Sequence, residues 1–236
     1  IMTAAAVAQR RTFMQTLWYW LFRLVGWDGV YHKPDTEKFI IIVAPHTSNF
    51  DFFIGFIFSR AFGMPSPNFL AKDSAFRGIL GPIMRGMGGI PVNRRERTNF
   101  VDQVAAAFNE RKRMILAITP EGTRSKVEYW KSGFYHIALK ANVPIVMATI
   151  DYAHKFITCG DMVVATGDME ADMDKIRAFY AGSTARHPER EGPIRFRPSE
   201  IATANGGEVA DVTAAELAAL APDTASTPET GEKAQA

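Results

Sequence analysis

The stretch FIIIVAPHTSNFD, residues 39–51, decides the fold class of this chain. It opens with Phe39 and four β-branched residues in a row, a pattern typical of a strand that is buried on both faces of a parallel sheet. In open α/β sheets, ligands bind beyond the carboxyl ends of the strands. His46 and Asp51, which follow this strand, therefore lie where a functional site is expected.

Outside this stretch, short apolar runs alternate with amphipathic patterns. Further strands are predicted at residues 68–71, 90–92, 114–118 and 145–150. Helices are predicted at residues 12–25, 99–111, 132–141 and 172–181, in addition to one that follows Ser48. This alternation predicts an α/β fold, as a single domain with a largely parallel central sheet flanked by helices.

His46 and Asp51 could act together as a general base. Ser48 is predicted to cap the following helix, and Asp51 stands three residues later, as in a capping box. From there the Asp51 carboxylate could reach back to the His46 ring and fix its tautomer, so that the other ring nitrogen takes a proton from an attacking hydroxyl. A histidine at a strand end is more often structural, and an acidic capping residue is common. The spacing alone therefore leaves both interpretations open.

Two later segments each place an arginine just after a predicted strand. Residues 88–94, GGIPVNR, end at Arg94, and residues 119–125, TPEGTRS, contain Arg124. Two arginines at neighbouring strand ends can converge on one anion, because the planar guanidinium matches phosphate oxygens in a two-pronged contact. Each arginine alone would be an ordinary surface charge, but together with His46 they predict a site.

Four segments, in this order, resemble the motifs of the glycerolipid acyltransferases, the lysophosphatidate acyltransferase-like family. The first is His46-x4-Asp51, the second residues 88–94, the third residues 120–125 and the fourth residues 143–145. Order and spacing agree with that family over about residues 38–152. A bare HxxxxD pattern is weak evidence, whereas four ordered motifs are specific.

The resemblance implies roles for individual residues. His46 would be the catalytic base and Asp51 its partner. The substrate-binding residues would be Arg94 on the acceptor phosphate, Glu121, Gly122, Thr123 and Arg124 in the third motif, and Lys72 near the phosphate. The donor would be acyl-CoA or acyl-carrier protein, and the acceptor a lysophospholipid such as 1-acylglycerol-3-phosphate, in phospholipid biosynthesis or remodelling. No metal or organic cofactor is implied.

Two departures from the family pattern leave the acceptor head group open. Pro45 stands where the family usually has Asn before the motif histidine, and Pro91 stands where the second motif usually has an aromatic residue. Two other functions remain as alternatives. One is a thioesterase or lipid hydrolase that uses the same base with water, and the other is a non-catalytic peripheral protein that binds lipid.

Two segments carry large apolar side chains beside charged ones. In the helix predicted at 12–25, one face carries Phe13, Leu17, Trp18, Leu21, Leu24 and Val25. This helix either packs on the core or lies at a membrane surface. In the second segment, Phe52, Phe53 and Phe56 could line an acyl channel, although core packing is the favoured interpretation. No run approaches the roughly 18 apolar residues of a spanning helix.

The chain is accordingly divided into three parts. Residues 1–30 are predicted to be an N-terminal amphipathic helix that docks on a membrane, residues 31–200 the acyltransferase domain, and residues 201–236 a flexible, disordered acidic tail. The expected location is the cytoplasmic side of a membrane, with peripheral association.

Charge and cysteine content narrow the partners. From Ser199 onward there are seven acidic residues and one lysine, so this segment has a net charge of −6. Since the whole chain has a net charge of +2, the rest of the chain carries +8. A basic body favours an anionic partner such as a phosphate group or an anionic lipid. No Lys/Arg ladder interleaved with aromatics is present, so nucleic acid is not expected as a partner. The single cysteine, Cys159, excludes a disulfide within the chain.

Overall fold

The computed structural model describes residues 11–72, 76–78, 80–86, 88–92 and 100–205. The strands are β1 (Asp28–Tyr31), β2 (Lys38–Ala44), β3 (Phe69–Lys72), β4 (Gly89–Val92), β5 (Met114–Ile118), β6 (Ile145–Asp151) and β7 (Phe156–Val163). The α-helices are α1 (Phe13–Leu24), α2 (Phe50–Ala61), α3 (Leu80–Gly86), α4 (Phe100–Glu110), α5 (Gly133–Ala141), α6 (Met169–Tyr180) and α7 (Pro198–Asn205). A short 3-10 helix spans Pro188–Arg190.

The main sheet has five strands in the order β1-β7-β6-β2-β5. β2 pairs in parallel with β5 on one side and β6 on the other, and β1 pairs in parallel with β7. Only the β6–β7 pairing in this sheet is antiparallel. The predicted single α/β domain with a largely parallel sheet is confirmed.

Helices cover both faces of this sheet, which explains the unbroken apolar run of β2. Ile40 and Ile42 point into a core that also contains residues of α4, α5 and α6. Phe39 and Ile41 point the other way, into a second core shared with α1 and α2. Because alternate residues of a strand face opposite sides, each residue of the run meets a packed layer.

The second sheet contains β3 and β4, which pair in parallel beside the edge of the main sheet. Asn68 connects the two sheets. Its side chain accepts the backbone N–H of Ile115 in β5 at 3.2 Å and donates to the carbonyl of Gly88, just before β4, at 3.0 Å. These bonds fix the small sheet next to β5. Asn68 also forms a parallel bridge with Leu116, so β3, β4 and β5 run in the same direction.

Helix α1 packs on the molecule by a face different from the apolar one seen in the sequence. Phe22 is fully buried and contacts Phe58 and Phe62 of the α2 region at ring-centroid distances of 5.9 and 6.2 Å. By contrast, most of the predicted apolar face is exposed, including Leu17 and Leu24. The helix therefore has two apolar sides, one in the core and one at the surface.

Several elements differ from the sequence-based expectation. Helix α2 begins at Phe50 with Asn49 as its N-cap, so Ser48 is not the cap, although its hydroxyl accepts the N–H of Phe50 at 3.1 Å. Helix α6 begins before residue 172, because Asp168 caps it by accepting the N–H of Ala171. The strands β1 and β7 and the helices α3 and α7 were not predicted.

The predicted acidic tail lies outside the described residues from residue 206 onward, and residues 201–205 form the end of α7. The first ten residues of the predicted docking segment also lie outside them. Within the part of the chain that the structure describes, no helix has both the length and the apolar character needed to cross a membrane.

Candidate active site

Three parallel strands bring three chain segments to one edge of the main sheet. His46 stands two residues after the end of β2, Glu121 three residues after β5, and Tyr152 directly after β6. Because β2 lies between β5 and β6, the segments after these strands flank the one that carries His46. The candidate site thus forms at the carboxyl edge, as expected for an open α/β sheet.

The Asp51 carboxylate, in the first turn of α2, organises the loop around it. Its Oδ2 atom accepts the backbone N–H groups of Thr47 and Ser48, both at 3.0 Å, and lies 3.1 Å from Nδ1 of His46. Its Oδ1 atom accepts the hydroxyl of Tyr152 at 2.6 Å. Asp51 is buried, so the carboxylate is held by protein groups on both oxygens.

This geometry assigns the tautomer of the His46 ring. With Nδ1 donating to the Asp51 carboxylate, the neutral imidazole carries its lone pair on Nε2. The His46 side chain is 19% exposed, whereas that of Asp51 is 2% exposed. The pair can therefore accept a proton at Nε2 from a group that approaches from solvent, while the buried carboxylate orients the ring.

Glu121 lies against the backbone of the same loop. Its two carboxylate oxygens are 3.0 and 3.2 Å from the backbone nitrogen of His46, which donates its hydrogen to them. Burial raises the pKa of Glu121 to about 8, with smaller upward contributions from Asp51 and Glu191, against the lowering effect of the His46 N–H. Glu121 of the third motif is therefore in contact with the backbone of His46 in the first motif.

The loop at residues 183–191 contacts the segment between His46 and Asp51. The backbone N–H of His187 donates to Oγ1 of the buried Thr47 at 3.1 Å, and the Arg190 guanidinium donates to the Thr47 carbonyl at 3.4 Å. The Arg186 guanidinium lies over the ring of Phe50, 4.5 Å from its centroid. The segment between His46 and Asp51 is thus fixed by residues from the C-terminal part of the domain.

The other residues of the third motif lie in the turn after β5. Gly122 has φ +66°, a left-handed conformation that favours glycine, and its N–H donates to the Thr119 carbonyl. Thr123 is exposed and its hydroxyl accepts the N–H of Ser125, while Arg124 is half-buried. Their predicted contacts with substrate remain predictions.

Two predicted phosphate contacts cannot be placed. Arg94 lies outside the described residues, and Lys72 is the last residue of β3, with its side chain outside the description. In the backbone register Lys72 pairs with Val92, so β3 and β4 end side by side in the small sheet. The predicted convergence of Arg94 and Arg124 stays a prediction.

The fourth motif lies away from the candidate base. Pro144 stands at the amino end of β6, where its carbonyl accepts the N–H of Ile40 at 3.1 Å, and Val143 is buried in the core. His46 follows the other end of the paired strand β2. Within the described residues, this motif sets the register of β6 against β2 and so places Tyr152 at the far end of β6.

A protein-family model described as Acyltransferase matches residues 28–151, about half of the chain. The chain belongs to the glycerolipid acyltransferase family. The matched region of this acyltransferase runs from β1 to the end of β6 and includes His46, Asp51 and Glu121. No curated protein and no solved structure matches the chain significantly.

Sequence reasoning missed two parts of the site of this acyltransferase, Tyr152 and the 183–191 loop. Both follow the matched region. The only signal for Tyr152 was its position two residues after the predicted strand at 145–150, and the loop carries no pattern that links it to His46. Among the described residues, no group of three or more His, Cys, Asp or Glu side chains is arranged to hold a metal ion.

Proposed function

We propose that this acyltransferase moves a fatty acyl group from acyl-CoA or acyl-carrier protein to a hydroxyl of a lysophospholipid-type acceptor, such as 1-acylglycerol-3-phosphate or a related lysolipid. The reaction would serve phospholipid biosynthesis or remodelling. Membership of the acyltransferase family supports the reaction type. The observation that carries the proposal is the His46–Asp51 pair, with 3.1 Å between Nδ1 and Oδ2 and the ring accessible from solvent.

The pair suits direct transfer without a covalent enzyme intermediate. Nε2 of His46 takes the proton of the acceptor hydroxyl as its oxygen attacks the thioester carbonyl carbon. The carbon–sulfur bond then breaks, the thiolate leaves and the imidazolium returns the proton to it. Asp51 keeps the ring in the required tautomer and stabilises the imidazolium while it exists. The products are the acylated lipid and the free thiol of the donor.

Basic residues support an acceptor that carries a phosphate. In the family motifs, Arg94 is the residue expected on the acceptor phosphate, with Lys72 nearby, and Arg124 belongs to the segment that meets His46 through Glu121. The chain without its acidic C-terminal segment has a net charge of +8. Such a charge attracts phosphate-bearing lipids and anionic membrane surfaces.

An exposed apolar surface supports peripheral association with a membrane. Of the fourteen exposed large apolar side chains among the described residues, eleven belong to α1, its C-cap or α2. We call this set the α1–α2 apolar surface: Phe13, Met14, Leu17, Trp20, Leu21, Leu24, Val25, Phe50, Phe52, Phe53 and Phe56. Apolar patches of this kind mark contact sites for membranes or partners. The favoured expectation that Phe52, Phe53 and Phe56 pack in the core is wrong.

The α1–α2 apolar surface is continuous with the catalytic loop. Phe56 contacts Trp18 of α1 edge to face at 5.9 Å and stacks on Phe52 at 6.4 Å, and Phe53 lies between Phe52 and Phe50. Phe50 directly precedes Asp51 in the chain. Arginines beside the surface, such as Arg60 over the Phe56 ring, suit anionic head groups. We therefore propose docking on the cytoplasmic side of a membrane, with His46 close to the lipid.

The test is product analysis with radiolabelled acyl-CoA and a panel of lysolipids with different head groups. The wild type should form an acylated phospholipid, and His46→Ala should lower the rate by about a hundred- to ten-thousandfold while the circular dichroism spectrum is unchanged. His32→Ala is the matched control, because it removes an exposed imidazole 3.4 Å from the Asp161 carboxylate and should keep full activity. Release of free fatty acid without acylated lipid would identify a thioesterase instead. Near-normal transfer by His46→Ala would rule out the general-base mechanism.

A further inference from the structure

Tyr152 is the one side-chain hydroxyl that the structure shows on the Asp51 carboxylate among the described residues. The hydroxyl donates to Oδ1 at 2.6 Å, while Oδ2 of the same carboxylate lies 3.1 Å from Nδ1 of His46. The side chains of Tyr152, Asp51 and His46 are thus connected in series. The family model ends at residue 151, so membership of the family assigns Tyr152 no role.

The phenol is held in place from three sides. The backbone N–H of Tyr152 donates to the carbonyl of Thr184 at 2.9 Å. The ring contacts the buried Trp27 edge to face, with 5.0 Å between centroids. The Arg186 guanidinium, from the loop at 183–191, is also close enough to interact with the phenol. Tyr152 therefore approaches Asp51 from a fixed direction.

Tyr152 stays protonated and can only act as a donor toward Asp51 near neutral pH. Burial, followed by the hydrogen bond to Asp51, raises the pKa of Tyr152 well above its usual value, and Arg186 lowers it by less. A short hydrogen bond from a neutral phenol to a carboxylate draws negative charge toward the shared proton. The oxygen that faces His46 then stabilises the imidazolium less than an unshared carboxylate would.

We propose that Tyr152 is a positioning residue that acts through Asp51, fixing the carboxylate toward His46 and limiting how strongly the His46 ring holds a proton. The proposal rests on the proposed function in so far as His46 is the catalytic base. A base that holds its proton too tightly returns it slowly to the leaving thiolate, and it is already protonated at a higher pH. Tyr152 would therefore affect both the rate and its dependence on pH.

The test is Tyr152→Phe, which keeps the ring against Trp27 and removes only the hydroxyl. We expect kcat to fall about ten- to a hundredfold, as for the loss of a hydrogen bond to a charged group. The acid limb of the pH profile of kcat/KM should move to higher pH, because Asp51 without the phenol stabilises the protonated ring more strongly. In the substrate-free protein, NMR titration of the His46 ring should show the midpoint moving in the same direction.

Tyr135→Phe is the matched control, because the Tyr135 hydroxyl donates to the Asp172 carboxylate at 2.9 Å on the face of the sheet away from α2. It removes the same kind of bond and should lower the melting temperature without moving the acid limb or the His46 titration. The content of folded protein is measured for both variants. A loss of activity caused by unfolding can therefore be distinguished from the proposed effect of Tyr152 on His46.

Two results would overturn the proposal. One is an unchanged kcat and an unchanged acid limb in Tyr152→Phe. The other is a loss of activity that only matches the loss of folded protein, while the midpoint of the His46 NMR titration is the same as in the wild type. If the wild type transfers no acyl group to any lysolipid, the proposed function fails, but the NMR titration needs no substrate and still decides the role of Tyr152.

Discussion

Both oxygens of the Asp51 carboxylate are occupied by hydrogen bonds within the protein. Two backbone N–H groups and the His46 ring share Oδ2, and the phenol of Tyr152 holds Oδ1. The residue is also buried, so a substrate cannot reach it. At the residue scale, Asp51 is therefore placed to orient the His46 ring, and the proposed mechanism assigns proton transfer with the acceptor to His46.

Glu121 gives a pH-dependent prediction at this scale. Its pKa is raised from 4.5 to about 8 in the folded chain, so the folded state holds the proton more tightly than the unfolded state. The resulting stabilisation is full below about pH 4.5 and is lost as the pH rises through about 8. Glu121→Gln cannot titrate and keeps an acceptor for the His46 N–H. We expect its free energy of unfolding, from urea titrations, to exceed that of the wild type increasingly from pH 6 to pH 9.

Glu121→Ala is the companion variant for function. It leaves the half-buried N–H of His46 without its acceptor, which costs about 1 kcal/mol and should disturb the loop that holds His46. We expect kcat to fall in Glu121→Ala and to fall much less in Glu121→Gln. An equal rise in the acceptor KM for both variants, with kcat unchanged, would instead mean that the carboxylate binds substrate, as the family motif implies.

At the residue scale, the sequence predicts short-range contacts better than long-range ones. His46 and Asp51 are five positions apart on a strand end and the following helix, so their contact follows from local geometry. The contact between Tyr152 and Asp51 spans 101 positions, and the one between His187 and Thr47 spans 140. These depend on strand order and on the path of a loop, neither of which leaves a periodic pattern in the sequence.

The two faces of helix α2 have different surroundings, the core on one side and solvent on the other. Asp51, Ile54 and Phe58 point inward, toward His46 and the core, while Phe52 and Phe53 point to solvent with 61% and 58% of their surface exposed. The spacing of the inward residues is helical, so the helix that carries Asp51 toward His46 also presents aromatic side chains outward. The position of the α1–α2 apolar surface next to the dyad follows from this arrangement.

Membrane docking can be tested on α2 without damage to the core. Because Phe22 is fully buried, deletion of α1 would expose the core, and point substitutions are the better test. Phe52→Ser with Phe53→Ser should lower binding to vesicles of phosphatidylcholine and phosphatidylglycerol by about a hundredfold or more, since each phenylalanine buried in lipid contributes about 1.5–3 kcal/mol. Sedimentation with vesicles measures the bound fraction, and high salt should weaken binding further.

Leu139→Ser is the control for this test, because Leu139 is an exposed apolar residue on α5 outside the α1–α2 apolar surface. It should bind vesicles as the wild type does. Equal binding by the double α2 variant and the wild type would move the docking role to another surface.

The elements that the sequence predicts are those with a continuous apolar pattern. The run at β2 and the apolar segments at β5 and β6 give strands close to the predicted bounds. β1 has four residues, two of them Asp28 and Gly29, and β7 carries Gly160 and Asp161 in its middle, so neither has the pattern of a strand. They form because each pairs with the unpaired backbone groups at the edge of a neighbouring strand, β7 with β6 and β1 with β7. Such pairing depends on the whole fold and not on the local sequence.

At the scale of the whole molecule, the C-terminal boundary of the domain can be tested by truncation. Phe196 is buried and contacts the rings of Phe134 and Tyr135, both at 5.8 Å between centroids. A chain ending after Asn205 should keep the activity and the urea midpoint of the full chain, because the segment that follows is acidic and poor in large apolar residues. Circular dichroism in urea and the acyl-transfer assay provide the two measurements.

A chain ending after Pro193 is the paired variant. It removes Phe196 and should lose about 3 kcal/mol or more of unfolding free energy, as for the loss of a buried phenylalanine. A chain ending after Asn205 that is as unstable as this one would mean that residues 206–236 pack against the domain.

The bonds that fix the loop between His46 and Asp51 also set an order of events during protein synthesis. Asp51 leaves the ribosome 101 positions ahead of Tyr152, and Thr47 leaves it 140 positions ahead of His187. A nascent chain that has emerged as far as Asp151 contains the whole segment covered by the family model but neither the phenol nor the 183–191 loop. The hydrogen bonds around the His46–Asp51 pair can therefore be completed only after Tyr152 and the 183–191 loop have been synthesised, so the growing polypeptide carries the pair without these supports until then.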